Sequence, residues 1–324
     1  MELLKILNLK KYFHTNYGVV RAVDDISFIV MEGETFGLVG ESGSGKSTTG
    51  HLVVGMYAPT SGKIIYRGMD ISSIADKRPK EVRHEIQIVF QDPASSLNPS
   101  KYIKDIIADQ LKLRGLRDGY EIEERISKLL ENVDLPPENY MYRKPRDLGG
   151  GELQAIAIAR ALSTDPRLIV LDEPTSALDV ITQAKIVNLL LRIQEEMRLT
   201  YIFITHDLAV AKNISRRIAV MYLGKIVELA ESGELFSNPL HPYTMMLFSS
   251  IPALTEEDRR LIPKKVRSVG EIPSAVSPPP GCRFHTRCPF VKDICREKEP
   301  TLEPVNVDSS HIVACHLVRD EMIV

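Results

Sequence analysis

Cysteine is missing from the first 281 residues of this 324-residue chain, and all four cysteines fall in the remaining tail. Any thiol chemistry is therefore confined to one end. Also missing is a run of about 18 apolar residues, so no segment reads as a membrane-spanning helix. The opening stretch, MELLKILNLKKYF, has neither the apolar core nor the small-residue cleavage site of a signal peptide, which predicts a cytosolic protein. Charge of one sign is not in excess: the formal net charge is −2, which gives nucleic acid no electrostatic foothold. Internal repeats, low-complexity tracts and sustained heptads are absent too. What is present is length enough for one large core with an appendage, or for two domains.

Residues 36–50 read FGLVGESGSGKSTTG. Phe36 to Val39 form a short apolar run of the kind a buried strand needs. Gly40, Gly45, Lys46 and Ser47 fit the spacing G-x-x-x-x-G-K-[ST]. The loop, with Ser42, Gly43 and Ser44 between its outer glycines, can turn backbone N–H groups inward around phosphate oxygens. A helix starting near Lys46, with Ser47 and Thr48 in its first turn, aims its positive end at the same place. Lys46 reaches the β and γ phosphates and Ser47 ligates Mg²⁺. A glycine turn with a chance lysine is the plainer reading, but strand, loop and helix occur in the required order.

RLIVLDEP, residues 167–174, is a second apolar strand, ending in Asp172 and Glu173. Asp172 is suited to the Mg²⁺ shell and Glu173 to activating the attacking water. Two carboxylates at a strand end are otherwise merely solvated; beside a phosphate loop they gain meaning. YIFITHD, residues 201–207, is a third such strand, and His206 at its end faces the ligand edge of a parallel sheet. TQAKIVNLLLRIQEEMR lies between the last two strands as the helix of a β-α-β unit. KYIKDIIADQLKLRGL and EIEERISKLL are amphipathic and predict further helices; another follows Gly151 and stops at Asp165-Pro166.

These residues resemble the nucleotide-binding subunits of ABC transporters. The likeness runs through the phosphate loop, VFQDP around Gln91, LGGGELQ at 148–154, LDEPTSALD at 171–179 and ITHD at 204–207. QDPASSLNP, NPLHPYT and the cysteine tail with RCP are similar to the oligopeptide/dipeptide permease branch. GESGSGKSTTG and APTSGKI look more like its second, F-type, ATPase subunit. The resemblance implies an α/β fold of the P-loop NTPase, ABC type. Residues 1–235 are then the nucleotide-binding domain, with a helical subdomain over about 92–165, and 236–324 a small metal-bound C-terminal extension. Past residue 235 the chain is expected to leave the core.

The resemblance also implies roles. Gln91 touches Mg²⁺ and senses the membrane subunits, Glu173 is the base, and His206 contacts the γ-phosphate. Asp179 lies between the two nucleotide sites of a dimer, and Gly149, Gly150, Gly151 and Glu152 meet the ATP held by the opposite subunit. An aromatic near the start stacks on adenine; Phe13 and Tyr17 both fit. The family's contact motif usually has serine where Gly149 stands, and arginine is common at Ala155. Either these changes are neutral or they mark a weakened site.

The implied activity is ATP hydrolysis driving import of di- or oligopeptides, with oligosaccharides or nickel as alternatives. Implied partners are a second ATPase subunit, two transmembrane permease subunits and an extracytoplasmic solute-binding protein. The place implied is the cytoplasmic face of the membrane. A soluble ABC ATPase acting on ribosomes or DNA would carry two phosphate loops or a long coiled coil. A redox sensor built on the thiols would not need the hydrolytic residues.

Cys282, Cys288, Cys295 and Cys315 are separated by five, six and nineteen residues, wider than zinc-ribbon pairs. SPPPG, 277–281, reads as a stiff linker before them. A small proline-rich module often needs a metal or disulfides to hold its fold, and cytosolic thiols stay reduced. Four thiolates suit an iron–sulfur cluster or zinc; the branch resemblance favours [4Fe–4S]. Cys288→Ser is expected to remove the metal's colour and loosen residues after 280 while ATP binding at Lys46 survives.

Overall fold

A computed structural model describes residues 1–249, 270–306 and 310–318. Its strands are β1 (Glu2–Thr15), β2 (Gly18–Met31), β3 (Thr35–Val39), β4 (Ser61–Tyr66), β5 (Met69–Asp70), β6 (Ile86–Val89), β7 (Leu168–Asp172), β8 (Thr200–Thr205), β9 (Arg217–Tyr222), β10 (Lys225–Glu231), β11 (Glu303–Pro304) and β12 (Ile312–Val313). The chain groups into two compact units. One gathers Met1–Met31, Thr35–Ile74 and Thr205–Val324; the other Glu32–Glu34 and Ala75–Ile204.

In the first unit β1 and β2 pair antiparallel around a tight turn, and β4 and β5 extend them in the order β2-β1-β4-β5. Leu4, Ile6 and Leu9 of β1 point into the core. All five residues of β3 are buried, as a strand covered on both faces requires. It runs parallel to β9, with Phe36 opposite Arg217 and Val39 opposite Val220. β10 returns antiparallel beside β9, and β12 then β11 add to its free edge.

That edge carries a correction. Among the described residues, the chain past residue 235 does not leave the core. Phe236, Tyr243, Phe248 and Phe284 pack with Val39, Ile218, Val220 and Tyr222 in one buried cluster. The later segment has too few apolar residues for a core of its own, and it buries these four aromatics against the cassette instead. Each such ring removes about 150–250 Å² from water. Glu228, fully buried on β10, accepts from the Leu240 and His241 N–H groups and contacts His311 Nε2 at 2.7 Å.

The second unit holds a parallel sheet in which β7 lies between β6 and β8. Helix Val180–Met197 connects β7 to β8, the expected β-α-β unit. The amphipathic stretches become helices Ile103–Arg114 and Gly119–Asn132, the latter capped by Asp118 accepting from Glu121 N. Helix Gly150–Leu162 is buried along most of its length and ends before Asp165, whose carboxylate binds Arg114 and Arg125.

Candidate functional site

The phosphate loop leaves β3 at Gly40 and closes at Gly45, where helix Lys46–Val54 begins. Both glycines sit at positive φ, +149° and +106°, and a Cβ on either would lie 2.2 Å from a backbone oxygen, that of Met221 or Ala22. No other residue fits there without moving β9 or β2. Gly224 N donates to Ser44 O at 2.8 Å, pinning the loop to the turn after β9. Lys46 is buried, and its ammonium donates to Gly40 O at 2.8 Å and Glu41 O at 3.0 Å. Ser42 and Gly43 form the exposed tip; Ser47 and Thr48 occupy the helix's first turn. His206 follows β8, exposed, and Asp207 beside it caps helix Leu208–Ile214.

The two aromatics differ in circumstance. Phe13 lies within β1, edge-on to Tyr57 at 5.3 Å, with the Lys11 ammonium 5.0 Å above its ring. Tyr17 lies in the β1–β2 turn and is 92% exposed.

In the second unit Asp172 is buried at the end of β7. Glu173 next to it takes φ +46°, a conformation costly for a side chain with a Cβ. Its N–H donates to Ile204 O at 2.9 Å, which holds the bend. Gln91 Nε2 donates to Glu173 Oε2 at 3.1 Å, so two residues 82 positions apart meet.

Gly149 caps helix Gly150–Leu162 with φ −77°. Its N–H donates to Glu152 Oε2 at 2.8 Å, and Tyr140 donates its hydroxyl to the other carboxylate oxygen at 2.6 Å. Those bonds, the Tyr140 one foremost, hold the Glu152 carboxyl below the usual range. A glycine has no side chain to return the bond, so this is half a capping box. Gly151 has a tighter reason to be glycine: a Cβ there would lie 2.6 Å from Thr182. Asp179 caps helix Val180–Met197, accepting from Ile181 N and Thr182 N at 3.1 Å. Gly149, Gly151, Ala155, Asp179 and Thr182 share one open groove of about 870 Å³.

All four cysteines are free. Burial foremost, and then the neighbouring thiols, push Cys282 up to about 12 and Cys288 and Cys315 to about 11. Cys282 N donates to Cys295 O, and Ala314 N to Val227 O, which ties the segment before Cys315 to β10. Among the described residues, however, no three His, Cys, Asp or Glu side chains gather as a ready site for a metal ion. The cysteines are thus brought into one region, but the described residues do not show the expected metal centre.

Nor does the cysteine segment stand apart. Arg287, next to Cys288, binds both carboxylate oxygens of Glu41 in the phosphate loop, at 2.8 and 3.1 Å. Glu41 N donates to Tyr243 Oη at 2.8 Å. Glu41, Arg287 and Tyr243 were not among the expected site residues. The available signal was a carboxylate inside a loop built for phosphate, which calls for a cation close by.

The ABC transporter family profile matches residues 23–176, and that of the oligopeptide/dipeptide transporter C-terminal region matches 227–295. The chain is 46% identical to the oligopeptide transport ATP-binding protein AppF of Bacillus subtilis, over 97% of each chain. It is 44% identical to the probable peptide ABC transporter ATP-binding protein y4tS of Sinorhizobium fredii, over 97% of this chain and 90% of that one. A solved dimeric ATP-binding cassette in a post-hydrolysis state, bound to ADP and phosphate, aligns with TM-score 0.65 and 30% identity, over 71% of this chain and 99% of the other. A phosphate loop closed by two obligatory glycines, an acidic strand end and a matching C-terminal region thus agree with these likenesses: the chain belongs to the ATP-binding proteins of the ABC transporter family, with the C-terminal region of its oligopeptide/dipeptide branch.

Proposed function

We propose that this protein hydrolyses ATP to drive import of di- or oligopeptides through a membrane permease. The observation that carries the hydrolytic reading is the bond between Gln91 and Glu173 at a strained backbone position beside Asp172. The peptide substrate rests on the names of the relatives and on the matched C-terminal region.

The residues have distinct parts in this reading. Backbone N–H groups of the loop from Gly40 to Ser47, other than those of Glu41 and Ser44, bind phosphate oxygens together with the Lys46 ammonium. Ser47, Gln91 and Asp172 offer only oxygen donors, which suit Mg²⁺. That ion would neutralise charge on the phosphates. Glu173 accepts the proton of the attacking water, Gln91 orients that carboxylate, and His206 contacts the γ-phosphate. Tyr17 is better placed than Phe13 to stack on adenine, because the Phe13 ring is already packed on Tyr57. Gly149 to Glu152 and Asp179 face a second ATPase subunit. A heterodimer fits the unequal contact motif, with two permease subunits, an extracytoplasmic binding protein and residence at the cytoplasmic membrane face. The nucleotide-binding domain is residues 1–235, with its helical subdomain at about 92–165, and the extension is 236–324.

For the cysteines the reading is a structural [4Fe–4S] cluster. Four free thiols, Cys295 buried and the other three partly buried, offer the all-sulfur donor set that such a cluster would take.

The deciding experiment is ATP turnover by the assembled transporter with and without a bound peptide at its binding protein. Peptide-stimulated turnover that Glu173→Gln abolishes is the expected result. Turnover indifferent to peptides but stimulated by an oligosaccharide would move the substrate class.

A further inference from the structure

Glu41 is an anomaly in a loop that receives triphosphate, because an unpaired carboxylate there repels the ligand. Its carboxylate is held in a bidentate pair by Arg287, at 2.8 and 3.1 Å. Arg287 is 6% exposed. Its guanidinium also lies 5.8 Å from the Tyr222 ring centre and 5.7 Å from that of Phe284. One terminal nitrogen reaches Tyr222 Oη at 3.5 Å, and its Nε has no hydrogen-bond partner among the described residues. Among the described residues, Glu41 is thus the one strong partner of a nearly buried cation.

The backbone of Glu41 is fixed as well. Its N–H donates to Tyr243 Oη at 2.8 Å, and its carbonyl accepts from Ser44 N at 3.2 Å and from the Lys46 ammonium at 3.0 Å. The peptide that orients Lys46 is therefore set by two side chains from beyond residue 240. Ile272, Pro273 and Ala275 line a small pocket against Ser42 and Gly43 on the same side.

We infer that Arg287 is a positioning residue for the phosphate loop: it neutralises Glu41 and holds the loop in its nucleotide-binding form. The inference rests on reading Gly40–Ser47 as the nucleotide site. Removing one member of a desolvated charge pair costs mainly by stranding the other. Here the stranded group is a carboxylate beside bound phosphates.

The test is titration of the full chain with a fluorescent ATP analogue and Mg²⁺, with folding followed by circular dichroism. Arg287→Ala weakens binding about tenfold, roughly 1.4 kcal/mol. Adding Glu41→Gln to Arg287→Ala removes the stranded charge and returns affinity to within about threefold of Glu41→Gln alone. A merely structural arginine would show no such rescue. Should Arg287→Ala not fold, Tyr243→Phe carries the test, since it deletes only the hydroxyl that accepts from Glu41 N–H; weaker binding with unchanged melting is expected. Lys46→Ala is the control that separates the two claims. If Lys46→Ala abolishes binding while a folded Arg287→Ala binds normally, the inference is overturned and the nucleotide site stands. If the double variant binds as poorly as Arg287→Ala, the effect does not run through Glu41 and the inference is equally overturned. If Lys46→Ala itself binds normally, the site reading fails first.

Discussion

The Gln91 side-chain amide donates to the Glu173 carboxylate at 3.1 Å, across 82 residues of sequence. The contact gives the candidate base a fixed direction and joins it to the segment QDPASSLNP, where the family resemblance expects the membrane subunits to be felt. Glu173 also sits at φ +46°, a strain that persists only where the surroundings enforce it.

Glu173→Gln is therefore predicted to keep nucleotide affinity and lower turnover by about 10²–10⁴-fold, the range of general-base catalysis. The amide is isosteric and keeps the bend. Single-turnover hydrolysis in the assembled transporter measures this directly. Near-normal rates at saturating ATP would remove Glu173 from the role.

Gly149→Ser is predicted to be sterically free. A Cβ at Gly149 meets nothing closer than Glu152 Oε2 at 3.6 Å, and φ is −77°. The restored hydroxyl completes the cap and offers one hydrogen bond to a charged ligand, worth about 1.5–3 kcal/mol. In a heterodimer the gain appears mainly at the partner's ATP. If ATPase rate and nucleotide affinity of the assembly both stay put, the glycine is neutral.

Much of this arrangement is readable along the chain, for physical reasons. Strands buried on both faces must be continuous apolar runs, so FGLV and RLIVLD announce themselves. Gly40 and Gly45 are required by close backbone approaches, and the sequence pattern carries that requirement. The extension is different. Tyr243, Phe248 and Phe284 have no periodicity to show that they join the cassette's core. Arg287 and Glu41 are 246 residues apart, and nothing local to either names the other. Phe13 and Tyr17 look alike in the sequence, while in the fold one packs on Tyr57 and the other stands exposed in a turn.

Tyr17→Ala is predicted to weaken ATP binding by about 1–3 kcal/mol, the usual worth of a base stacked on an aromatic. Phe13→Ala should instead lower the melting temperature, since its ring packs on Tyr57 under Lys11. Binding isotherms beside thermal melts distinguish the two. A Tyr17→Ala protein that binds ATP normally would return Phe13 to candidacy.

His311→Ala is predicted to destabilise the extension. It removes a partner 2.7 Å from Glu228, a carboxylate with no solvent exposure. Leaving a buried group short of a hydrogen-bond partner typically costs about 1–3 kcal/mol. The bonds from Leu240 N and His241 N remain, so the low end is expected. Hydrogen exchange should rise in 312–318 and in β10. Unchanged exchange there would show that β12 docks without the pair.

Cys288→Ser tests the cysteine reading and its link to the phosphate loop together. Anaerobically purified wild-type protein is predicted to be brown and to hold about four irons per chain, as one four-thiolate cluster requires. The serine variant should lose both colour and iron. Because Arg287 adjoins Cys288 and grips Glu41, the loss should also weaken nucleotide binding, against the independence that the sequence alone suggests. Glu41→Gln in the same background should recover part of that affinity, since it removes the carboxylate that Arg287 no longer neutralises. Colourless anaerobic protein with one zinc and no iron would replace the cluster by an ion. Iron-loaded wild type with a Cys288→Ser variant that binds ATP at full strength would keep the cluster and sever it from the loop.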